Sequence, residues 1–410
     1  MKTTYLLLCL LGIGSVSGAG QTKQPQKIGD FIESTSYNEH RRNATRSLQY
    51  IPDGDDFVCI NGKNRFTRAL YGSHTAFRLE TSDRPVFAAY TKENPKHICF
   101  KLQTSGGTVA LDSTEHCESR YTAGRRSYSL SDPAFGGGSL SITTWALPDK
   151  EGAIWQFNAR NFKEFHPVLL ASISEIRNSK LNRNGDMGAD PADSFEAPLQ
   201  PQQLQSFPVQ IDGTLYILLE NQELRTLTTA EGENLFKKAE AARSETASRI
   251  RIETPDPYFN TLGSTLAMAA DGIWDGEVWL HGAIGWRMPL SGWRAAYTGD
   301  VLGWHDRART HFNAYAASQV TEVPNTLPHP AQDSALHLAR SVKKWGTPQY
   351  SNGYICRNPH RNNQMHHYDM NLCYIDELLW HFKWTGDLDY VRQMWPVITR
   401  HLAWEKLNYD

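Results

Sequence analysis

The sequence predicts an antiparallel β-sandwich followed by an array of antiparallel helical hairpins. Three observations carry this. Short apolar runs separated by glycine- and asparagine-rich turns fill residues 57–220. A helical period replaces them at about residue 228. An aromatic-Thr-Gly-Asp turn then occurs twice, at Tyr297–Asp300 and Trp384–Asp387.

The 410 residues suggest two domains, each large enough for a core. Lys plus Arg number 42 and Asp plus Glu 44, a net charge of −2. Arg125-Arg126 and Lys343-Lys344 are isolated basic pairs, so no nucleic-acid partner is expected. Lys2, the apolar run Tyr5–Ile13 and the small residues to Ala19 read as a signal peptide over 1–19. That run is shorter than the ~20 residues a membrane helix needs, and no later stretch spans a membrane. A periplasmic or secreted protein follows. Cys59, Cys99, Cys117, Cys356 and Cys373 remain, too odd and sparse a set for a disulfide framework. Export would permit one bridge among Cys59, Cys99 and Cys117.

Residues 20–50 are polar and aperiodic, and read as a flexible arm. Asn43-Ala44-Thr45 within it matches a glycosylation acceptor, which would carry no meaning if the host were bacterial. The sandwich is placed at 51–225, with strands over Phe87–Tyr90, His97–Leu102, Thr108–Leu111, Leu140–Trp145, Ile154–Phe157, Val168–Ile173 and Leu215–Leu219. A long loop covers 178–205. A linker helix falls within 226–253, opened by a capping box of Thr228 and Glu231.

The helical domain takes 254–410. Asp256 and Pro257 open its first helix, with Leu262, Leu266 and Ala269 or Ala270 on one face. Asp300 is expected to cap a helix carrying Trp304, Ala308, Phe312 and Tyr315. Further helices are expected over Asp333–Trp345 and Asp369–Trp384. Asp387 would cap the next one, and Pro396 would start or kink the last, which carries Ile398 and Leu402.

This series resembles the six-hairpin glycosidase superfamily, above all in Tyr368–Asn371, Trp384–Asp387, Trp395-Pro396 and Trp404. Asn64–Gly72 and the tryptophan-rich stretch 274–304 are similar to an uncharacterised exported bacterial family with an N-terminal β-sandwich. The resemblance implies an incomplete (α/α)6 toroid with about three of the six hairpins, hence an N-terminal fragment. It also implies a glycoside hydrolase acting on poly- or oligosaccharide without a cofactor. In rhamnosidase-like relatives a carboxylate precedes the Gly-Trp-Thr-Gly-Asp element, whereas residues 286–299 here contain none.

Ten of the twelve tryptophans follow residue 270. Flat aromatic faces suit the apolar face of a sugar, while Arg, Asp and His suit its hydroxyl edge. Trp274, Trp279, His281, Trp286, Arg287, Trp293 and Arg294 supply both on a glycine-rich stretch. Trp304 lies at helical spacing and is expected in the core. Glycoside hydrolysis uses two carboxyl groups, about 6.5–9.5 Å apart in inverting enzymes. Asp275 and Glu277, set among Trp274, Val278 and Trp279, are the catalytic candidates; either could instead cap a turn or pair with Arg287 or Arg294. Asp271 is a third, better read as a helix-end residue. His360, His366, His367 and Asp369 form a second cluster, in which His366 and His367 are substrate-binding candidates. Adjacent histidines face different ways on regular backbone, so no metal is expected. His366, His367 and Tyr368 also fit an alternative, a polysaccharide lyase; a non-catalytic sugar-binding protein is a third reading.

Overall fold

The structure is a computed structural model that describes residues 27–28, 31–33, 47–48, 50–63, 68–90, 96–162, 167–176, 204–209, 213–282, 287–292, 295–321, 332–333, 338–339, 352–362 and 369–409. The signal-peptide stretch and the glycosylation motif lie outside these. The chain divides into two compact units, Met1–Ile51 and Pro52–Asp410. In the first, three short strands, Lys27–Ile28, Phe31–Glu33 and Ser47–Leu48, pair antiparallel where the sequence suggested an unstructured arm.

Two antiparallel sheets follow. The eight-stranded sheet runs in the order Glu223–Leu227, Thr214–Glu220, Gly152–Arg160, Ser139–Ala146, Arg125–Ser131, His116–Thr122, Asp56–Ile60 and Ile51–Asp53. The seven-stranded sheet runs Gln205–Pro208, Val168–Glu175, Lys96–Thr104, Val86–Tyr90, Arg78–Thr81 and Arg68–Tyr71, with Gly107–Ala110 hairpinned onto Lys96–Thr104. Alternation places Cys117, Ser119 and Tyr121 inward and leaves their neighbours half-exposed or exposed, as a sheet with one covered face requires. The sheets share one core. Phe87 meets Trp155 edge-on at 5.4 Å, and Phe100 meets Phe157 at 5.0 Å. All five cysteines are free thiols, so the bridge that export would permit is not made.

Helix α1 (Thr229–Ala247) carries the expected capping box: the Thr228 side chain accepts from Glu231 N, and Glu231 accepts from Thr228 N. It lies on the eight-stranded sheet. Phe236 packs on Trp145 at 4.2 Å, and Trp145 Nε1 donates to Glu240 at 2.8 Å. Its end reaches the helical region, where Ala247 packs with Ala123 and Met268. It therefore bridges sheet and helices.

Asp256 caps α2 (Pro257–Asn260) as expected, accepting from Tyr258 N at 2.8 Å. Helix α3 (Leu262–Gly272) buries Ala267, Met268 and Ala270 and leaves Leu262 and Leu266 exposed, so its inner face is not the leucine face. Then come α4 (Tyr297–Val301), α5 (His305–Ala316), α6 (Asp369–Thr385) and α7 (Leu388–Tyr409). Asp300 caps nothing: it sits inside α4, and α5 opens at Trp304 without a side-chain cap. The expected helix from Asp333 is absent at its described residues, where Gln332–Asp333 pairs with Leu338–Ala339 as strands. A leucine- and alanine-rich composition is only a weak helix signal against backbone pairing.

The second aromatic-Thr-Gly-Asp turn forms as expected. Gly386 (φ 64°) donates its N–H to Phe382 O, and Asp387 accepts from the N–H groups of Asp389 and Tyr390. Helix α7 runs through Pro396 without restarting. It buries Tyr390, Met394, Ile398 and Trp404 and exposes Leu388, Trp395 and Leu402. Among the described residues no helix is long and apolar enough to cross a membrane.

Candidate active site

The stretch after α3 folds back on itself. Trp274 bridges Trp279 across a turn in which Gly276 takes φ 101°. Asp275 closes that turn: its Oδ1 accepts from Glu277 N at 3.0 Å and Val278 N at 2.7 Å. The two indoles meet at 4.6 Å and are 4 % and 0 % exposed. Trp279 also donates its backbone N–H to His311 Nδ1 at 3.2 Å, and its ring fills the space over Gly299. Neither indole keeps a face free for a sugar, which corrects the reading of Trp274 and Trp279 as binding platforms. Trp304 is core, as expected, with the Arg307 guanidinium 4.2 Å over its ring. Trp286, Trp293, Arg294, His366 and His367 lie outside the described residues.

Glu277 projects into solvent, not into the apolar surround expected of it, and meets His360 Nε2 at 2.6 Å. Asp275 is half-buried. A carboxylate that is desolvated is Glu377 on α6, which is 2 % exposed. All three lie within electrostatic reach of Tyr315 of α5, whose hydroxyl is buried without a hydrogen-bond partner among the described residues. Burial pushes that phenol well above its ordinary range; Asp275, Glu377 and Glu277 add to the rise and Arg357 opposes it. Three carboxylates and one guanidinium thus act on one spot. Next to it, Tyr297 donates to Asp376, the exposed neighbour of Glu377.

Sequence reading missed Glu377. Its signal was a carboxylate on the core side of a helical repeat, beside Tyr374, Leu378 and His381, all of which are buried. A charge at such a position is rarely accidental.

Two cations border the cluster. Arg287 donates from Nη2 to His74 O at 2.9 Å, and its Nη1 is buried without a partner among the described residues. Among the described residues Arg357 reaches only Met288 Sδ, at 3.0 Å. Burial lowers the pKa of both, with Asp275 and Glu151 opposing for Arg287 and Tyr315 for Arg357. His281, beside them, is also lowered by burial. Asp271 is the helix-end residue expected. Burial would raise its pKa, but hydrogen bonds from His74 and Arg307, with the Arg307 charge 2.7 Å away, hold it below the usual carboxylate range.

Asp300, His305 and His381 are the described residues that could hold a metal, their ligand atoms lying within 4.8 Å of one another. Asp300 Oδ1 is 2.7 Å from His305 Nδ1 and 2.9 Å from His381 Nδ1. Tetrahedral zinc, with bonds of about 2.0–2.1 Å, would set its ligand atoms about 3.3 Å apart. As arranged, the three share protons and tie α4 to α6. A cavity of about 330 Å³ lies on the sandwich beside Phe77, Lys96 and Glu151, and one of about 40 Å³ between Tyr71, Arg243 and Asp271. Neither is lined by Glu377, Tyr315 or Glu277.

Residues 95–249 match a family model described as a domain of unknown function (DUF4450). The match covers sandwich strands and α1 and stops before the acidic cluster. No curated protein matches the chain. What fold and site define together is a two-sheet β-domain joined by a packed helix to an α-helical region that carries a carboxylate-tyrosine cluster.

Proposed function

We propose that this protein is an exported glycoside hydrolase of the six-hairpin type, its helices forming part of an (α/α)6 toroid. One observation carries the reading: a buried carboxyl, Glu377, and a solvated one, Glu277, act on the same buried phenol, Tyr315. Acid and base roles are commonly separated by giving two carboxyl groups unlike surroundings. In this reading Glu377, buried on α6, gives its proton to the glycosidic oxygen as the C–O bond breaks. Glu277, oriented by His360, takes a proton from the water that attacks the anomeric carbon. Asp275 shapes the turn that presents Glu277. The packing of α5 on α6 and the hairpin turn at Gly386-Asp387 between α6 and α7 support the architecture; the apolar start of the chain supports export.

The test is hydrolysis of a panel of plant and host polysaccharides by the purified chain, with Glu377→Gln and Glu277→Gln beside it. Each variant should lose about 10²- to 10⁴-fold in kcat while keeping its circular dichroism and Tm. Full activity in both would refute the assignment. Product configuration by NMR separates inversion from retention. An unsaturated, ultraviolet-absorbing uronate product would show β-elimination instead, and binding without turnover would show a sugar-binding protein.

A further inference from the structure

We infer that Arg287 and Arg357 form a subsite for an anionic sugar unit, one carrying a carboxylate or a sulfate; this rests on the cluster beside them being the saccharide site. The observation is a pair of half-buried guanidiniums with no carboxylate partner among the described residues. Two other arginines of the helical region are matched by carboxylates: Arg307 by Asp271 at 2.7 Å, and Arg309 by Asp387. Arg287 meets only a backbone carbonyl and keeps a buried Nη1 unused. Arg357 meets only a thioether, a weak acceptor. Removing a guanidinium from water without a counter-charge is costly, and the cost is recovered when an anion arrives.

The two belong to one place. Met288 follows Arg287 in the chain, touches Arg357 through its sulfur, and accepts from His281 N at 3.0 Å through its carbonyl. Both arginines also feel the acidic cluster, Arg287 through Asp275 and Arg357 through Tyr315. The unused donors therefore border the groups proposed to do the chemistry. A neutral sugar hydroxyl is served as well by an amide or a carboxylate. Fixed, always-charged donors in a planar fork suit an acceptor-only group, which they bind in bidentate fashion. Glu277, an exposed carboxylate of the cluster, is turned to His360, which reduces its repulsion of an incoming anion.

The test uses the full chain and matched oligosaccharides in three forms: neutral, uronate-bearing and sulfated. Calorimetric affinity is measured for the wild type, Arg287→Met, Arg357→Met and the charge-preserving Arg287→Lys. The wild type should prefer an anionic form to its neutral counterpart, and raising the salt should weaken only anionic binding. Each methionine variant should lose about 10- to 100-fold in affinity for the anionic ligand. Arg287→Lys should retain part of it, which controls for misfolding. Preference for the uronate or for the sulfate names the source of the charge. Equal affinity for neutral and anionic forms, or unchanged affinity in both methionine variants, overturns the inference. Arginine-dependent binding without turnover would leave the subsite standing and the hydrolase reading fallen; arginine-independent turnover of neutral glycans would do the reverse.

Discussion

His360 reaches Glu277 with Nε2 2.6 Å from Oε1, and does so from a backbone at φ 57°. A non-glycine residue there costs about 1–2 kcal/mol, although histidine tolerates it better than most. Its N–H is used, donating to Ala314 O at 2.9 Å. The strain is therefore borne at a position whose side chain orients a proposed catalytic carboxylate. His360→Gly removes the imidazole and relieves the backbone together. The expected result is an unchanged or slightly raised Tm with at least about a tenfold fall in kcat. A fall in Tm with activity intact would make His360 a structural residue only.

Asp300 is buried between two histidines, and breaking its contacts should cost stability. Hydrogen bonds to a charged group contribute about 1.5–3 kcal/mol. His381 is fully buried and His305 is half-exposed, so the loss sits with His381. Urea unfolding should show Asp300→Ala and His381→Ala losing about that amount, and His305→Ala much less. Because the three are at hydrogen-bond spacing, a chelator should leave Tm unchanged. A drop of several degrees with EDTA would show that a metal holds the triad.

Much of the fold was legible because period and punctuation are local properties. The Thr228–Glu231 box, the Asp256-Pro257 start and the Gly386-Asp387 turn each form as the sequence suggests. The first aromatic-Thr-Gly-Asp turn failed where the second held, because Asp300 is drawn inward to His305 and to His381, the latter distant in sequence. The site was half legible. Glycine and charge marked the 274–287 stretch, but the indoles within it turn inward on each other across a β-bridge. Glu377 escaped notice because its meaning depends on Tyr315 and Arg357, which only tertiary packing brings to it.

Trp279 as core rather than platform has its own test at Gly299. A Cβ there would lie 2.4 Å from Trp279 Cη2. The indole is pinned by Trp274 and His311 and cannot step aside cheaply. Gly299→Ala should therefore cost about 1–3 kcal/mol of overpacking, and Trp279→Ala about 3–5 kcal/mol. If Trp279 instead stacked on sugar, Trp279→Ala would weaken oligosaccharide binding with little change in urea midpoint.

His311 should set part of the protein's acid sensitivity. It is fully buried, and burial drives its imidazole down to about 3, with a backbone contact to Ser291 opposing. Its Nδ1 accepts the Trp279 N–H, so in the folded state the ring is neutral with its proton on Nε2. In the unfolded chain the same ring takes up a proton near pH 6.5. The folded value is therefore the depressed one. Its contribution is whole above about pH 6.5 and shrinks as pH falls, because only the unfolded state gains the proton. It is exhausted once the pH passes the folded value of about 3. One such group steepens the loss by at most about 1.4 kcal/mol per pH unit. His311→Asn keeps an acceptor for Trp279 N–H and cannot titrate. It should be less stable than the wild type at pH 7 from lost packing, with the gap narrowing between pH 6 and 4. Asp271, whose value is also lowered, adds its own loss only below about pH 4, so the two windows separate. Urea unfolding at stepped pH reads both. Parallel curves for wild type and His311→Asn from pH 7 to 4 would show that His311 opens to water before the chain unfolds.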